Sequence, residues 1–195
     1  GAANGSMGFL GFGNILGIDN YYGRTEFNDD SQFDGFWGIW DEPFLQYMKK
    51  TLDTKKSPFF ASVFTVSSHE PYIIPEKYKD KFKEGGVPMH KCVEYTDYAL
   101  KRFFGEAKKE PWFHNTIFVM VADHANQIFY PEYAKPIQRF AVPILIYQPG
   151  SKYVGVDEDW AQQIDIYPTI LDMIGYQKPF RSWGRSLFDK KGMAP

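Results

Sequence analysis

The sequence predicts an α/β domain: a mostly parallel sheet flanked by helices. Three observations predict it. Apolar, β-branched runs at 57–68, 116–122 and 140–147 alternate with amphipathic stretches at 41–54, 89–109 and 159–174, the order expected of parallel strands joined by crossover helices. The run from Ile117 to Ala122 carries no polar side chain. That fits a strand buried on both faces, although periodicity alone leaves a buried helix open. Two of the three runs also lead directly into chemistry, His69 after the first and Asp123–His124 after the second. In open α/β sheets ligands bind outside the carboxyl ends of strands.

The elements follow in order. Residues 1–18 are apolar and Gly-rich, but they lack both GxGxxG and a Lys-Ser/Thr ending. They therefore read as close backbone packing into a short helix near Met7–Leu16 rather than as a phosphate loop. Residues 19–40, rich in aromatic, acidic and turn residues, read as a long ordered loop. Asp41–Thr54 reads as a helix, with Asp41 as N-cap, Pro43 in the first turn and Phe44, Leu45, Met48 and Leu52 as its apolar stripe. A strand is expected over Pro58–Val66, followed by the His69 loop. A long helix is expected over Met89–Lys109, with Val93, Ala99, Leu100, Phe103 and Phe104 buried. After the Thr116–Ala122 strand, Phe140–Tyr147 reads as a third strand, where Pro143 implies an edge or bulge. Asp159–Ile174 reads as a helix kinked or split at Pro168 and stopped by Gly175. Arg181–Phe188 reads as a short strand or a loop on the edge.

Composition narrows the function. The net charge is −2 across 195 residues and the pI is about 6.1, so nothing marks a nucleic-acid partner. The lysine groups at 49–56 and 77–83 are interrupted by acids and read as solvated faces, ahead of contact with anionic lipid. Aromatic residues make up 18%, which favours thick aromatic packing over an aromatic-lined cleft. The single cysteine, Cys92, rules out an intrachain disulfide. No stretch approaches the roughly 18 apolar residues of a membrane span. The first Met is Met7, consistent with a piece of a longer protein whose N-terminal strands lie outside the chain.

Asp123 and His124 place a carboxylate and an imidazole side by side, a ready pair of ligands for a divalent metal. Taken alone, an Asp-His at a strand end is more often a hydrogen-bonded loop closure, and a lone His more often structural. If the strands before His69 and Asp123 are parallel neighbours, the three residues share one sheet edge, and that convergence raises the metal reading. Other candidates are weaker. His90 and Cys92 form an H-x-C pair with no second pair to complete a zinc site. Glu94 and Asp97 mark a solvated helix face. His114 is a loop residue, and Asp165 is structural.

Six segments in order resemble the sulfatase-like catalytic domain of the lipoteichoic acid synthase (phosphoglycerol transferase) family, in the alkaline phosphatase superfamily. They are FTVSSHEPY (64–72), YTDYALKRFF (95–104), TIFVMVADH (116–124), VPILIYQPG (142–150), QIDIYPTILDMIG (163–175) and GRSLF (184–188). Each is weak alone; the ordered set is specific.

The resemblance implies that the chain is the C-terminal portion of a single sulfatase-like catalytic domain. It implies that Asp123 and His124 bind the catalytic divalent ion (Mn, Mg or Zn), and that His69 is catalytic, contacting the phosphoryl or head group. The remaining acidic ligand and the nucleophilic Thr are expected upstream of Gly1, with Thr65 and Thr96 structural. The implied partner is a phosphate- or sulfate-ester substrate, such as a lipid head group. The implied location is extracytoplasmic, with membrane anchoring through segments outside this chain. One departure stands out. Where lipoteichoic acid synthases carry a Trp and an Arg, this chain has GSMGFLGF. Arg24 and Trp37 are candidates for that place, against the plainer readings of a surface Arg and a packed Trp. A soluble sulfatase or phosphodiesterase, or a non-catalytic binding domain, are the alternatives.

Overall fold

The structure is a computed structural model that describes residues 1–189. Its helices are α1 (Phe9–Ile15), α2 (Arg24–Phe27), α3 (Asp41–Leu52), α4 (Met89–Ala107) and α5 (Ile166–Met173); its strands are β1 (Phe118–Val121) and β2 (Ile144–Tyr147), with short 3₁₀ turns between them. They fall into two compact units. The first comprises Gly1–Thr116 with Asn126–Arg139, and the second Ile117–Ala125 with the described residues from Phe140 on.

The first unit is built on α3 packed against α4. Along α4 the buried residues are Cys92, Tyr95, Ala99, Phe103 and Ala107, one face at three- and four-residue spacing. Val93, expected in that face, is exposed instead, because it lies one position past Cys92 and so about 100° around the helix. Phe44, Leu45 and Leu52 of α3 complete the core with Ile39, Val66 and Phe113.

The start of α3 corrects the sequence reading. The N-cap position is Trp40, which makes no side-chain cap, and Asp41 is a buried residue of the first turn. Caps arrive from distant parts of the chain. The Asp41 N–H donates to Ser67 Oγ at 3.0 Å, and the Glu42 N–H donates to the Tyr95 hydroxyl at 3.2 Å. Two of the donors every helix start leaves over are met in this way. The Asp41 carboxylate in turn accepts from the Val66 N–H at 2.8 Å, from the Ser67 N–H and from Thr96 Oγ1 at 2.9 Å.

Those bonds lie at the end of the segment Pro58–Val66, where the expected strand does not form. Among the described residues the segment has no ladder partner, and residues 57–66 are irregular. A strand exists only where its backbone groups pair with a neighbour, and the amides of Val66 and Ser67 are taken by a side chain. Phe60 is 81% exposed.

In the second unit β1 and β2 pair antiparallel, in register from Phe118 opposite Tyr147 to Val121 opposite Ile144. The rings of the first pair stack at 5.9 Å. The sequence predicts a mostly parallel sheet, and this pair is antiparallel. The connection from β1 to β2 contains 3₁₀ turns at Pro131–Ala134 and Gln138–Phe140 but no crossover helix, and parallel neighbours normally need one. The third expected strand is thus present but shorter, beginning after Pro143.

The last helix begins later than expected. Residues 159–162 are not helical; a 3₁₀ turn, Gln163–Asp165, leads into α5. Asp165 is structural, as the sequence implies: buried, it accepts from the Gln162 N–H at 2.9 Å and the Arg185 N–H at 2.9 Å. The late start places Pro168 in the first turn of α5, where a missing N–H breaks no helical bond, so the expected kink is absent. Gly175 ends the helix at φ +70°, and the Tyr176 N–H closes back on the Leu171 carbonyl at 2.9 Å, as a left-handed C-terminal residue allows.

Candidate active site

Asp123 and His124 follow β1 directly, where the chain turns out of the ladder. Asp123 Oδ1 accepts from the His124 backbone N–H at 3.0 Å, which folds the carboxylate back toward its neighbour. His124 Nδ1 lies 2.8 Å from the Ala125 carbonyl oxygen. A carbonyl oxygen only accepts, so the contact places the ring proton on Nδ1 and leaves the Nε2 lone pair free. Nε2 stands 3.5 Å from Asp123 Oδ2, and the His124 and Asp123 side chains are 61% and 58% exposed. Metal-ligating histidines are commonly held this way, with the other ring nitrogen donating to a backbone carbonyl. The pair therefore fits a divalent cation by donor type, by tautomer and by access. Among the described residues, no cluster of three or more His, Cys, Asp or Glu side chains is placed to hold a metal. The chain supplies a pair of ligands and not a full set.

A residue missed in the sequence fixes this strand end. Gln163 Nε2 donates to the carbonyls of Ala122 at 2.7 Å and Asp123 at 2.9 Å. One side-chain amide thus holds both peptide groups that carry the Asp123 side chain. Its signal in the sequence was position: it opens the polar turn that starts α5, a common place for side chains that bond to backbone.

His69 lies in the first unit, on the turn after Val66–Ser68. Its N–H donates to the Val66 carbonyl at 3.2 Å, and its own carbonyl accepts from the Tyr72 N–H at 3.0 Å. The ring is exposed. Its Nδ1 lies 3.2 Å from the Glu70 carbonyl. Because residues 57–66 are irregular, the sheet edge expected to carry both His69 and Asp123–His124 is not formed. The structure brings Asp123 and His124 together in the second unit and places His69 in the first.

The remaining candidates sort plainly. Arg24 is engaged with Asp30 at 2.7 Å and lies over the Phe33 ring at 3.7 Å. Trp37 packs on His69, ring centroids 4.1 Å apart. Thr96 is structural, donating to Asp41. Cys92 is buried, and its thiol faces the Ile73 carbonyl at 3.7 Å. Burial pushes that thiol up to about 11, so it is not an activated nucleophile. Burial likewise raises the pKa of Asp41 above the usual carboxylate range, against the bonds it accepts.

Known proteins give the class. The sulfatase family model matches residues 4–176, and the chain belongs to that family. A solved protein of the alkaline phosphatase superfamily from Vibrio parahaemolyticus superposes with a TM-score of 0.69 at 32% identity, over 88% of this chain and 41% of that one. The fold is accordingly a partial α/β domain of that superfamily.

The more particular likeness is to lipoteichoic acid synthases. A lipoteichoic acid synthase-like protein of Bacillus subtilis is 27% identical over 182 residues, covering 83% of this chain. The Staphylococcus aureus lipoteichoic acid synthase is 25% identical over 195 residues, covering 90%. The chain spans 30% of the length of each of these relatives.

Proposed function

We propose that this chain is part of a metal-dependent enzyme that transfers or hydrolyses phosphate esters, most closely a phosphoglycerol-type transferase working outside the cytoplasm. The observation that carries the reading is the free Nε2 of His124 beside Asp123 Oδ2, at the end of a strand, in a chain of the sulfatase family. Asp123 and His124 would hold one divalent ion (Mn, Mg or Zn). Such an ion neutralises charge on phosphoryl oxygens and lowers the pKa of a bound hydroxyl. Gln163 keeps the two ligands in place by fixing the backbone beneath them. His69 presents Nε2 to the anionic group; its Nδ1–H rests on the Glu70 carbonyl, and a second proton taken up at Nε2 makes that nitrogen the donor of a charge-assisted hydrogen bond.

The nucleophile and the remaining ligands come from sequence outside this chain. No threonine here stands in a matching motif: Thr96 is committed to Asp41, and Thr65 lies on the irregular segment. The substrate is a phosphate ester, with a lipid head group the favoured form. Anchoring would likewise come from outside, because no helix among the described residues is long and apolar enough to cross a membrane. A sulfate-ester substrate is the second reading. It is favoured by the absence of a Trp and Arg near Met7–Phe9 and by the engagement of the Arg24 Nε with Asp30.

Calorimetric titration of the chain with Mn²⁺ and Zn²⁺, beside the Asp123→Ala/His124→Ala variant, tests the metal assignment. Binding that disappears in the double variant supports it; equal binding by both proteins refutes it. If residues 1–195 alone hydrolysed a phosphodiester in a metal-dependent, His124-dependent way, the nucleophile would have to lie within the chain. That result would overturn the second half of the reading.

A further inference from the structure

We infer that Trp37 is the positioning residue for His69, selecting the imidazole's tautomer and holding its Nε2 toward solvent. The inference rests on the reading that His69 meets the substrate's anionic group, and it adds the device that orients it.

The geometry centres on one oxygen. The Glu70 carbonyl accepts the Trp37 indole N–H at 2.7 Å and faces His69 Nδ1 at 3.2 Å. A carbonyl oxygen has two lone pairs and no proton, so it accommodates two donors, and His69 must carry its proton on Nδ1. Nε2 is then left with no hydrogen-bond partner among the described residues. The two rings lie 4.1 Å apart at 49°, so the indole also blocks rotation of the imidazole on one side.

Trp37 is itself held firmly. Asp34 Oδ1 accepts three successive backbone N–H groups, from Phe36 at 2.8 Å, Trp37 at 2.8 Å and Gly38 at 3.0 Å. The Trp37 carbonyl accepts the Ala3 N–H at 3.3 Å. Gly38 lies so close to the Gly1 carbonyl that any Cβ would collide with it. A rigid turn thus presents the indole. Simple core packing does not account for the contact, because His69 is exposed and the adjacent Phe36 is exposed as well.

Long-range ¹⁵N–¹H spectra of the His69 ring, recorded on the 195-residue chain in alkaline buffer, read the tautomer directly. The wild type is expected to show one form, with Nδ1 protonated. Trp37→Phe, which keeps a ring but loses the N–H, and Trp37→Leu, which loses both, are expected to give mixed tautomers without a matching fall in melting temperature. A single unchanged tautomer in Trp37→Leu overturns the inference.

The second arm uses a catalytically competent, longer form of the protein with bis(p-nitrophenyl) phosphate as probe. Trp37→Leu is expected to lower kcat/KM about tenfold, since small misplacements of a reacting group carry such costs. In a His69→Gln background it should cost nothing further. Additive losses overturn the inference. If His69→Gln alone turns over like the wild type, the functional reading of His69 falls instead, and the tautomer spectra still decide the role of Trp37.

Discussion

Replacing Asp41 with Ala removes the acceptor on which the start of α3 and the approach to His69 both depend. The side chain is 1% exposed. It accepts from the Val66 and Ser67 amides and from the Thr96 hydroxyl. Thr96 has a second partner in Ser68 Oγ at 3.1 Å, so its hydroxyl can turn there, whereas the two amides have no substitute. Each buried donor left unmet costs about 1–3 kcal/mol, so the two amides together should cost about 2–6 kcal/mol. For a chain of this length that is a fall in melting temperature on the order of 10 °C. Asp41→Asn keeps one acceptor oxygen and turns an amide toward a donor, so it should cost about half as much. Thermal unfolding together with amide hydrogen exchange is the assay, with loss of protection concentrated at Val66 and Ser67. Amides of the β1–β2 ladder report the other unit separately. The pH dependence has a defined sign. Burial raises the folded pKa of Asp41, so the native state keeps its proton to higher pH than the unfolded chain. The corresponding stability is complete below about pH 4 and declines as pH rises through the folded value; Asp41→Asn should remove that decline. A stability of Asp41→Ala within about 0.5 kcal/mol of wild type, the size of an ordinary surface change, with protection at Val66 and Ser67 intact, would refute this account.

Four further outcomes follow from particular contacts. With the Cys92 thiol pushed up to about 11, alkylation at pH 8 should be slow in the folded chain and fast in denaturant. Because that value is raised, Cys92 should also cost stability as pH climbs above about 9, where the unfolded thiol ionises first; a pH-stability curve to pH 10 on Cys92→Ser checks the sign. Gly184→Ala should destabilise the second unit, since a Cβ there collides with the Ile164 carbonyl backbone; unchanged exchange around Asp165 would contradict it. Gln163→Ala should weaken Mn²⁺ or Zn²⁺ binding about tenfold, in line with supporting groups around metal ligands, while calorimetric unfolding stays close to wild type.

What was legible in the sequence was local. The α3 and α4 stripes could be read because burial on a helix repeats every three to four residues, and the error at Val93 is one position on that wheel. Gly175 could be read because a left-handed helix end selects glycine. Asp123–His124 could be read because a strand run ended there in ligand chemistry, whereas the tautomer that makes His124 a ligand depends on where the Ala125 carbonyl turns. What could not be read was long-range polar pairing. Asp41 has the sequence marks of an N-cap, yet Ser67 and Tyr95 cap α3 from 26 and 53 residues away. That exchange decides the neighbouring segment as well. SPFFASVFTVSS has the composition of a buried strand, but composition reports which side chains tolerate a sheet, and a sheet needs an open backbone edge beside it. Here Asp41 takes the amides at its end, and among the described residues no strand lies alongside. The segment therefore reaches His69 as an anchored irregular chain, with the imidazole held by Trp37 and the Glu70 carbonyl rather than by a sheet edge. Residues 34–41 consequently matter to His69 twice: Asp41 fixes the backbone before it, and Asp34 fixes the indole beside it. Asp41→Asn and Trp37→Phe should for that reason separate cleanly, the first changing stability and the second changing the ring.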